Sequence, residues 1–336
     1  MQNNVFESPT AYLDPRHLPP VPLIQLPPEL NPFPSKDRVK IYAQAAFEWP
    51  LQSLKHPAVF HMFHEAEMRG ELDGVHTITD SSSGNTAKCE AIFAQHRGLK
   101  AVLFVPADMP KTKEDRLREL ADIGADLELV KCRDLPGEAT AMQQACLRGQ
   151  EKGCRYIGQY SNPDNIKGHL IYHITPAWEQ TREKMTVYAG TLGTCGHIGA
   201  AISFTAPITV VAGYCAEGNP VPGMRTMSRL SQVPLSKIIG DTSNANVNLV
   251  EIRQAEAYRS SWELAIAGIH GGPTSGGARV ALEKFLKNER RTPGAWERLR
   301  NKDGNIVAVF MCGDAFELYS IEKYRQALEA HEVPKR

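Results

Sequence analysis

The stretch Thr186-Val187-Tyr188-Ala189-Gly190-Thr191-Leu192-Gly193-Thr194-Cys195-Gly196 opens the longest run of the chain free of Asp, Glu, Lys and Arg, residues 185–216. A run of that length raises the question of a membrane span. Gly190, Gly193, Gly196, His197, Gly199 and Pro207 interrupt it, so it reads instead as a buried strand over 186–189, a tight loop, a helix over 194–204 and a strand over 208–213. The same alternation extends in both directions. Strands are expected at 38–47, 100–105, 126–130, 155–158 and 305–311, and helices at 58–69, 86–97, 112–123, 138–149, 169–183, 253–267, 275–288 and 321–331. This is the rhythm of an α/β fold with parallel sheets. Residues 19–34 are proline-rich and read as an extended arm; residues 219–247, rich in Ser, Pro and Asn, read as a long irregular segment of the functional kind.

The chain has 336 residues, 38 basic against 38 acidic, and is 42% hydrophobic, the composition of a globular protein long enough for two lobes. With no net charge there is no basic field for nucleic acid or an anionic membrane, and neither partner is expected. Seven cysteines without a C-x-x-C pair argue for a reduced, cytoplasmic protein, and the first thirty residues lack the apolar core of an export signal. His61, His64 and Glu65, and His169 with His173, have helical spacings that could ligate a metal. Neither pair has a third ligand at a suggestive spacing, so solvated or capping roles are expected and no metal.

Two segments carry the chemistry. Ser81-Ser82-Ser83-Gly84-Asn85-Thr86 lies between an apolar run ending near Ile78 and a helix opening at Thr86, so hydroxyls and backbone N–H groups converge as they would around a carboxylate or phosphate. A serine-rich helix cap is the plainer reading of that segment taken alone. Gly190 to Gly196 forms a second cradle, in which glycines let the backbone approach an anion and threonine hydroxyls donate to it. It is neither a P-loop, since no Gly-Lys-Ser/Thr follows, nor a G-x-G-x-x-G fingerprint. Tight strand-helix packing is its plainer reading.

Together the two cradles, in this order, resemble the fold type II pyridoxal-phosphate enzymes, a tryptophan synthase β-like fold, and among them the cysteine synthase and cystathionine β-synthase family. Ser82-Ser83-Gly84-Asn85-Thr86 resembles that family's substrate-carboxylate loop and Gly190 to Thr194 its cofactor-phosphate loop. Gln159-Tyr160-Ser161-Asn162-Pro163 is similar to its Gln-aromatic-x-Asn-Pro segment, and Gly272-Pro273-Thr274-Ser275-Gly276 to its Gly-x-Ser-Ser-Gly turn. Two lysines compete for the Schiff-base position. Lys36 sits in Asn31-Pro32-Phe33-Pro34-Ser35-Lys36-Asp37-Arg38, which has the motif's look but precedes the strand. Lys55, in Trp49-Pro50-Leu51-Gln52-Ser53-Leu54-Lys55-His56-Pro57, follows the strand, precedes a helix and lies 30 residues before Asn85, the family's placement. Trp49, Gln52 and His56-Pro57 stand where the family has Asn, Gly and Asp-Arg.

What the resemblance implies is definite. Pyridoxal 5'-phosphate would be the cofactor, held in a cleft between two lobes, with Lys55 as anchor and then as base for the α-proton. Asn85 would bond the ring hydroxyl, while Gly190, Thr191, Leu192, Gly193 and Thr194 would bind the phosphate and Thr274 would face the pyridine nitrogen. Ser82, Ser83, Gly84, Thr86 and Gln159 would hold the substrate carboxylate. Arg225, in Met224-Arg225-Thr226-Met227, resembles a segment of the O-phosphoserine-using cysteine synthases and could meet a substrate phosphate. The expected lobes are 1–47 with 173–336, large, and 48–172, small and mobile; a homodimer is expected. The implied reaction is β-replacement on an O-activated L-serine through an aminoacrylate, with a small nucleophile as second partner, in amino-acid biosynthesis. O-phosphoserine and O-acetylserine both stay open as substrates. A β-eliminating lyase or dehydratase is the alternative, on the strength of Cys312-Gly313, and a catalytically inactive binding homologue is a third reading.

Overall fold

A computed structural model describes residues 5–133, 139–240 and 247–332. Among them are ten strands: β1 (Leu23–Gln25), β2 (Val39–Ala45), β3 (Thr77–Ser81), β4 (Lys100–Pro106), β5 (Leu127–Cys132), β6 (Cys154–Tyr156), β7 (Val187–Thr191), β8 (Thr209–Cys215), β9 (Val247–Ile252) and β10 (Ile306–Cys312). They form two sheets, ordered β5-β4-β3-β6 and β1-β2-β10-β7-β8-β9. Every pairing is parallel except β1 with β2. Parallel sheets are covered on both faces, so their inner strands need no polar side. Accordingly all seven residues of β10, Ile306 to Cys312, are buried, as are all five of β7. The uncharged run at 185–216 is thus a sheet interior, and no helix among the described residues is long and apolar enough to cross a membrane.

The chain divides into two compact units, Met1–Pro19 with Lys55–Gly168, and Pro20–Leu54 with His169–Arg336. The sequence reading put residues 1–47 with 173–336, whereas residues 1–19 go with the 55–168 unit. The reason is local: the His56 ring donates from Nε2 to Leu13 O at 2.8 Å, and the Arg16 guanidinium lies 5.3 Å from the centre of the Phe60 ring. In the first unit the four-stranded sheet alternates with helices Asn85–Gln95, Lys111–Asp122 and Ala141–Arg148. The expected start of the last helix, at Glu138, lies outside the described residues. In the second, the long helix Pro273–Arg291 packs across β7, β8, β9 and β10, and against the helix Gln254–Ile266. Within that helix pair Gly276 is indispensable, because a Cβ there would lie 2.0 Å from Ala257 O.

Three readings need revision. The proline-rich arm contains β1, whose Leu23, Ile24 and Gln25 pair with Gln44, Ala43 and Tyr42. The irregular segment ends in β9, although residues 241–246 lie outside the described ones. The helix expected at 169–183 is two helices, Pro163–His169 and Thr175–Gln180, joined by a wider π-type turn over Leu170–Ile174.

Candidate active site

Each sheet has one place where the chain reverses its direction of travel. In the first, β3, β4 and β5 succeed one another to one side and β6 returns to the other side of β3; in the second, β7, β8 and β9 do so and β10 returns beside β7. Loops at the carboxyl ends of two such strands diverge and leave a crevice, where α/β sheets bind ligands. Both candidate loops arise at these points.

In the first unit, the loop after β3 meets the loop after β6. Thr86 Oγ1 donates to Gln159 Oε1 at 2.7 Å, and Gln159 Nε2 donates to Ser81 O at 2.8 Å. The Ser82 hydroxyl accepts from Ala87 N at 3.2 Å and so satisfies one N–H of the first turn of the helix Asn85–Gln95, whose cap position is Gly84. Ser82, Ser83 and Asn85 are half-buried and Gly84 is exposed, with no atom within 4 Å of where its Cβ would be. The loop therefore offers donors around open space.

Beneath this loop lie two residues that the sequence reading passed over. Asp80 accepts from Ser81 N at 2.6 Å and from Gln159 N at 2.9 Å, which locks the two loops to one carboxylate. Fully buried Glu90 lies beside it. Neither Glu90 oxygen has a partner at hydrogen-bond geometry, yet the two carboxyl groups act on one another, and burial first, Asp80 second, raises Glu90 well above the usual carboxylate range. Burial also raises Asp80, while the Glu90 carboxyl beside it and the N–H groups of Gln159 and Ser81 pull it down. A lone acid in each of two otherwise uncharged stretches, Thr77 to Ser81 and Cys89 to Phe93, was the available signal.

Lys55 opens the helix Lys55–Met68, which packs on Asn85–Gln95, and is half-buried. It lies near enough to Cys89 to favour the thiolate, although burial prevails and pushes that thiol up to about 12. The next residue, His56, is fully buried, and desolvation pushes its imidazole down to about 4. The rival lysine, Lys36, is exposed on the turn Ser35–Asp37.

In the second unit, Gly190 and Thr191 end β7 and Leu192 to Thr194 follow it. Thr191 and Thr194 are buried, and a Cβ at Gly193 would lie 2.5 Å from Gly223 O, so only glycine passes there. Leu192 is fully buried; its N–H donates to Gly213 O at 2.8 Å and its carbonyl accepts from Arg225 N at 2.7 Å. Leu192 therefore extends the sheet, with its amide already used. Arg225 is placed beside the loop by the same bond. Thr274, at the start of Pro273–Arg291, donates from Oγ1 to Asp314 Oδ1 at 3.2 Å, and Tyr319 OH donates to Asp314 Oδ2 at 2.6 Å. The sequence reading did not name Asp314; it follows β10, at the reversal point. The segment leading to the lysine is fixed here too, since Leu54 N donates to Gly313 O at 2.7 Å and Ala315 N to Gln52 O at 3.2 Å.

Each unit by itself carries groups whose chemistry suits part of pyridoxal phosphate. The first has an amine, Lys55, and an amide, Asn85; the second has a glycine-threonine backbone that suits a phosphate and a buried hydroxyl, Thr274, that suits a ring nitrogen. No group of three or more His, Cys, Asp or Glu among the described residues could hold a metal ion.

Comparison with known proteins agrees. A family model described as pyridoxal-phosphate dependent enzyme matches residues 17–295. Cysteine synthase B of Salmonella typhimurium is 30% identical over 253 residues, which cover 73% of this chain and 78% of that protein. A hydrogen sulfide-producing enzyme of Fusobacterium nucleatum matches in structure with a TM-score of 0.72 at 19% identity, over 94% of this chain and 100% of that one. O-ureido-L-serine synthase does so with 0.73 at 18% identity, over 99% and 97%. The two structures speak for the fold, and the family model and the Salmonella relative for descent: the chain belongs to the pyridoxal-phosphate-dependent enzymes of fold type II, in the cysteine synthase and cystathionine β-synthase family.

Proposed function

We propose that this enzyme replaces the leaving group on Cβ of an O-activated L-serine by a small nucleophile. The observation that supports this best is the Thr86–Gln159–Ser81 hydrogen-bond chain at the mouth of the four-stranded sheet, which ties the serine-rich loop to Gln159 in a chain related to cysteine synthase B. When bound, pyridoxal phosphate withdraws electrons from the substrate's Cα, which makes the α-proton acidic and the β-substituent a leaving group. Lys55 Nζ would hold the cofactor and, when free, would take the α-proton from the substrate's Cα and return it. Ser82, Ser83, the Gly84 N–H, Thr86 and Gln159 orient the α-carboxylate. Asn85 would bond the ring hydroxyl, and Thr191, Gly193 and Thr194 would hold the phosphate, with Gly190 and Leu192 as their support.

Thr274 would face the ring nitrogen, with a hydroxyl that donates to Asp314 here and can turn to donate to that nitrogen. Arg225 meets an anionic leaving group, which makes O-phospho-L-serine the first substrate to try and O-acetyl-L-serine the second. The enzyme works in the cytoplasm as a homodimer in amino-acid biosynthesis.

The test is spectroscopic and chemical. The purified protein should show the visible absorbance of lysine-bound cofactor, change it on addition of an activated serine, and lose it in Lys55→Ala. With sulfide present the product should be cysteine. Pyruvate as the product with and without sulfide would mean elimination instead of replacement, and a protein that takes up no cofactor would sink the catalytic reading altogether.

A further inference from the structure

We infer that a buried chain of rings, Trp49, His173, His169 and His197, positions the Gly190–Thr194 loop for the cofactor phosphate, with His197 as the residue that touches the loop. This rests on the reading of that loop as the phosphate site. The four side chains belong to the second unit and are at most 5% exposed. His169 and His173, read from sequence as solvated or capping, are wholly buried.

The hydrogen bonds fix every tautomer along the chain. Indole Nε1 can only donate, so at 3.1 Å His173 Nε2 must accept from Trp49. The neutral His173 ring then carries its proton on Nδ1 and donates it to His169 Nδ1, also at 3.1 Å. The His169 ring meets His197 edge to face, with centroids 5.8 Å apart. His197 Nε2 accepts from Thr191 N at 3.2 Å. The His173 backbone is held as well, because Gln44 Nε2 donates to its carbonyl at 2.8 Å.

A second observation shows that the loop is built around His197. A Cβ at Gly190 would lie 2.3 Å from His197 Nε2, so the loop's first residue must be glycine for the imidazole to fit. The entry to the loop is thereby locked residue by residue: Thr191 N to His197, Leu192 N to Gly213 O, and Arg225 N to Leu192 O. An anion in the loop is left to the Thr191 hydroxyl and to Gly193 and Thr194, whose placement depends on that locked entry. If the acceptor at 197 is lost, a buried amide is left unpaired and the entry turns to find a partner. His197 is thus a positioning residue, and Trp49 sets its ring through His173 and His169.

The experiment compares His197→Leu, His197→Gln and Trp49→Phe with Thr194→Ala, a change in the loop itself. Each folded apoprotein, checked by circular dichroism, is titrated with pyridoxal phosphate, and the ³¹P resonance of the bound phosphate is recorded. Gln keeps an acceptor near the Nε2 position and should bind within about threefold of wild type, whereas Leu should weaken binding by about tenfold, the size of one lost hydrogen bond to a buried donor. The ³¹P line should shift or broaden in His197→Leu and Trp49→Phe but not in His197→Gln. If His197→Leu does not fold, Trp49→Phe against His197→Gln decides by the same ³¹P criterion. Wild-type affinity and an unchanged line in His197→Leu, with binding lost in Thr194→Ala, would overturn the positioning role. Unchanged binding in Thr194→Ala would overturn the phosphate-loop reading and the inference with it.

Discussion

His56 stands directly after Lys55, where the family has an acidic residue, and it is the side chain with the clearest pH signature. Its imidazole is charged below about 4 in the fold but below 6.5 in the unfolded chain, so between these values the unfolded state binds more protons. Stability is therefore complete above 6.5 and declines as the pH falls toward 4, by up to about 3 kcal/mol. His56→Gln, which can still donate to Leu13 O, should flatten that decline when unfolding free energies are measured by denaturant at pH 7.5 and pH 5. Gln52 offers a second test. It has φ of 56°, left-handed, at the place where the family has glycine. Strain at such a position is worth about 1–2 kcal/mol, partly offset by the extra freedom glycine gives the unfolded chain. Gln52→Gly should raise stability by about 0.5 kcal/mol, seen as a higher melting temperature, and a lower one would refute the strain.

Helices and loops are coupled at points where a single atom decides. The helices Pro273–Arg291 and Gln254–Ile266 touch through Gly276, whose added Cβ would strike the backbone at Ala257 O and Ser261 N, 2.0 and 2.5 Å away. Backbone does not yield as a side chain does, so Gly276→Ala should cost about 3 kcal/mol in denaturant unfolding. Thr274 lies two residues away on the same helix and would be displaced with it. The Asp80–Glu90 pair ties the serine-rich loop to β3 by an opposite logic. Glu90 is held neutral in the fold far above the 4.5 at which it ionises when exposed, so the fold binds the extra proton and stability falls as the pH rises past 4.5. Glu90→Gln removes that slope. It should be more stable than the wild type at pH 8, by a margin that widens from pH 5 upward, and a constant margin would mean that Glu90 is already charged.

For the molecule as a whole, the two sheets place their functional loops by one rule, the reversal of strand order, and the connections feed both. The first nineteen residues are part of that plan. Leu13, Asp14 and Pro15 are buried, with the Leu13 carbonyl bonded to His56 and Arg16 over Phe60, so the segment covers the beginning of the lysine's helix. Deleting residues 1–19 should remove the Leu13 acceptor from His56 and the Arg16 contact from Phe60, and cost about 2 kcal/mol or more. Limited proteolysis should then cut first within residues 55–168. Equal cleavage in both units would show that the arm adds nothing.

The sequence alone determined the α/β alternation, because buried parallel strands are continuous apolar runs and the helices between them are amphipathic. It also showed the two glycine- and serine-bearing loops, which depend on residue type and local order, and the resemblance to the family led to Lys55 ahead of Lys36. It did not reveal β1 or β9. Both are edge strands, three and six residues long, whose side chains are mostly half-exposed and whose partners are distant in sequence or come later. Asp80, Glu90 and Asp314 were equally illegible, because a buried acid looks like a surface one until its neighbours are known. Only the tertiary structure decided that Thr274 is bonded to Asp314, that the Leu192 amide is spent in the sheet, and that His169 and His173 are interior. Each is a contact between residues far apart in the chain, and burial and hydrogen bonding there are set by what packs alongside.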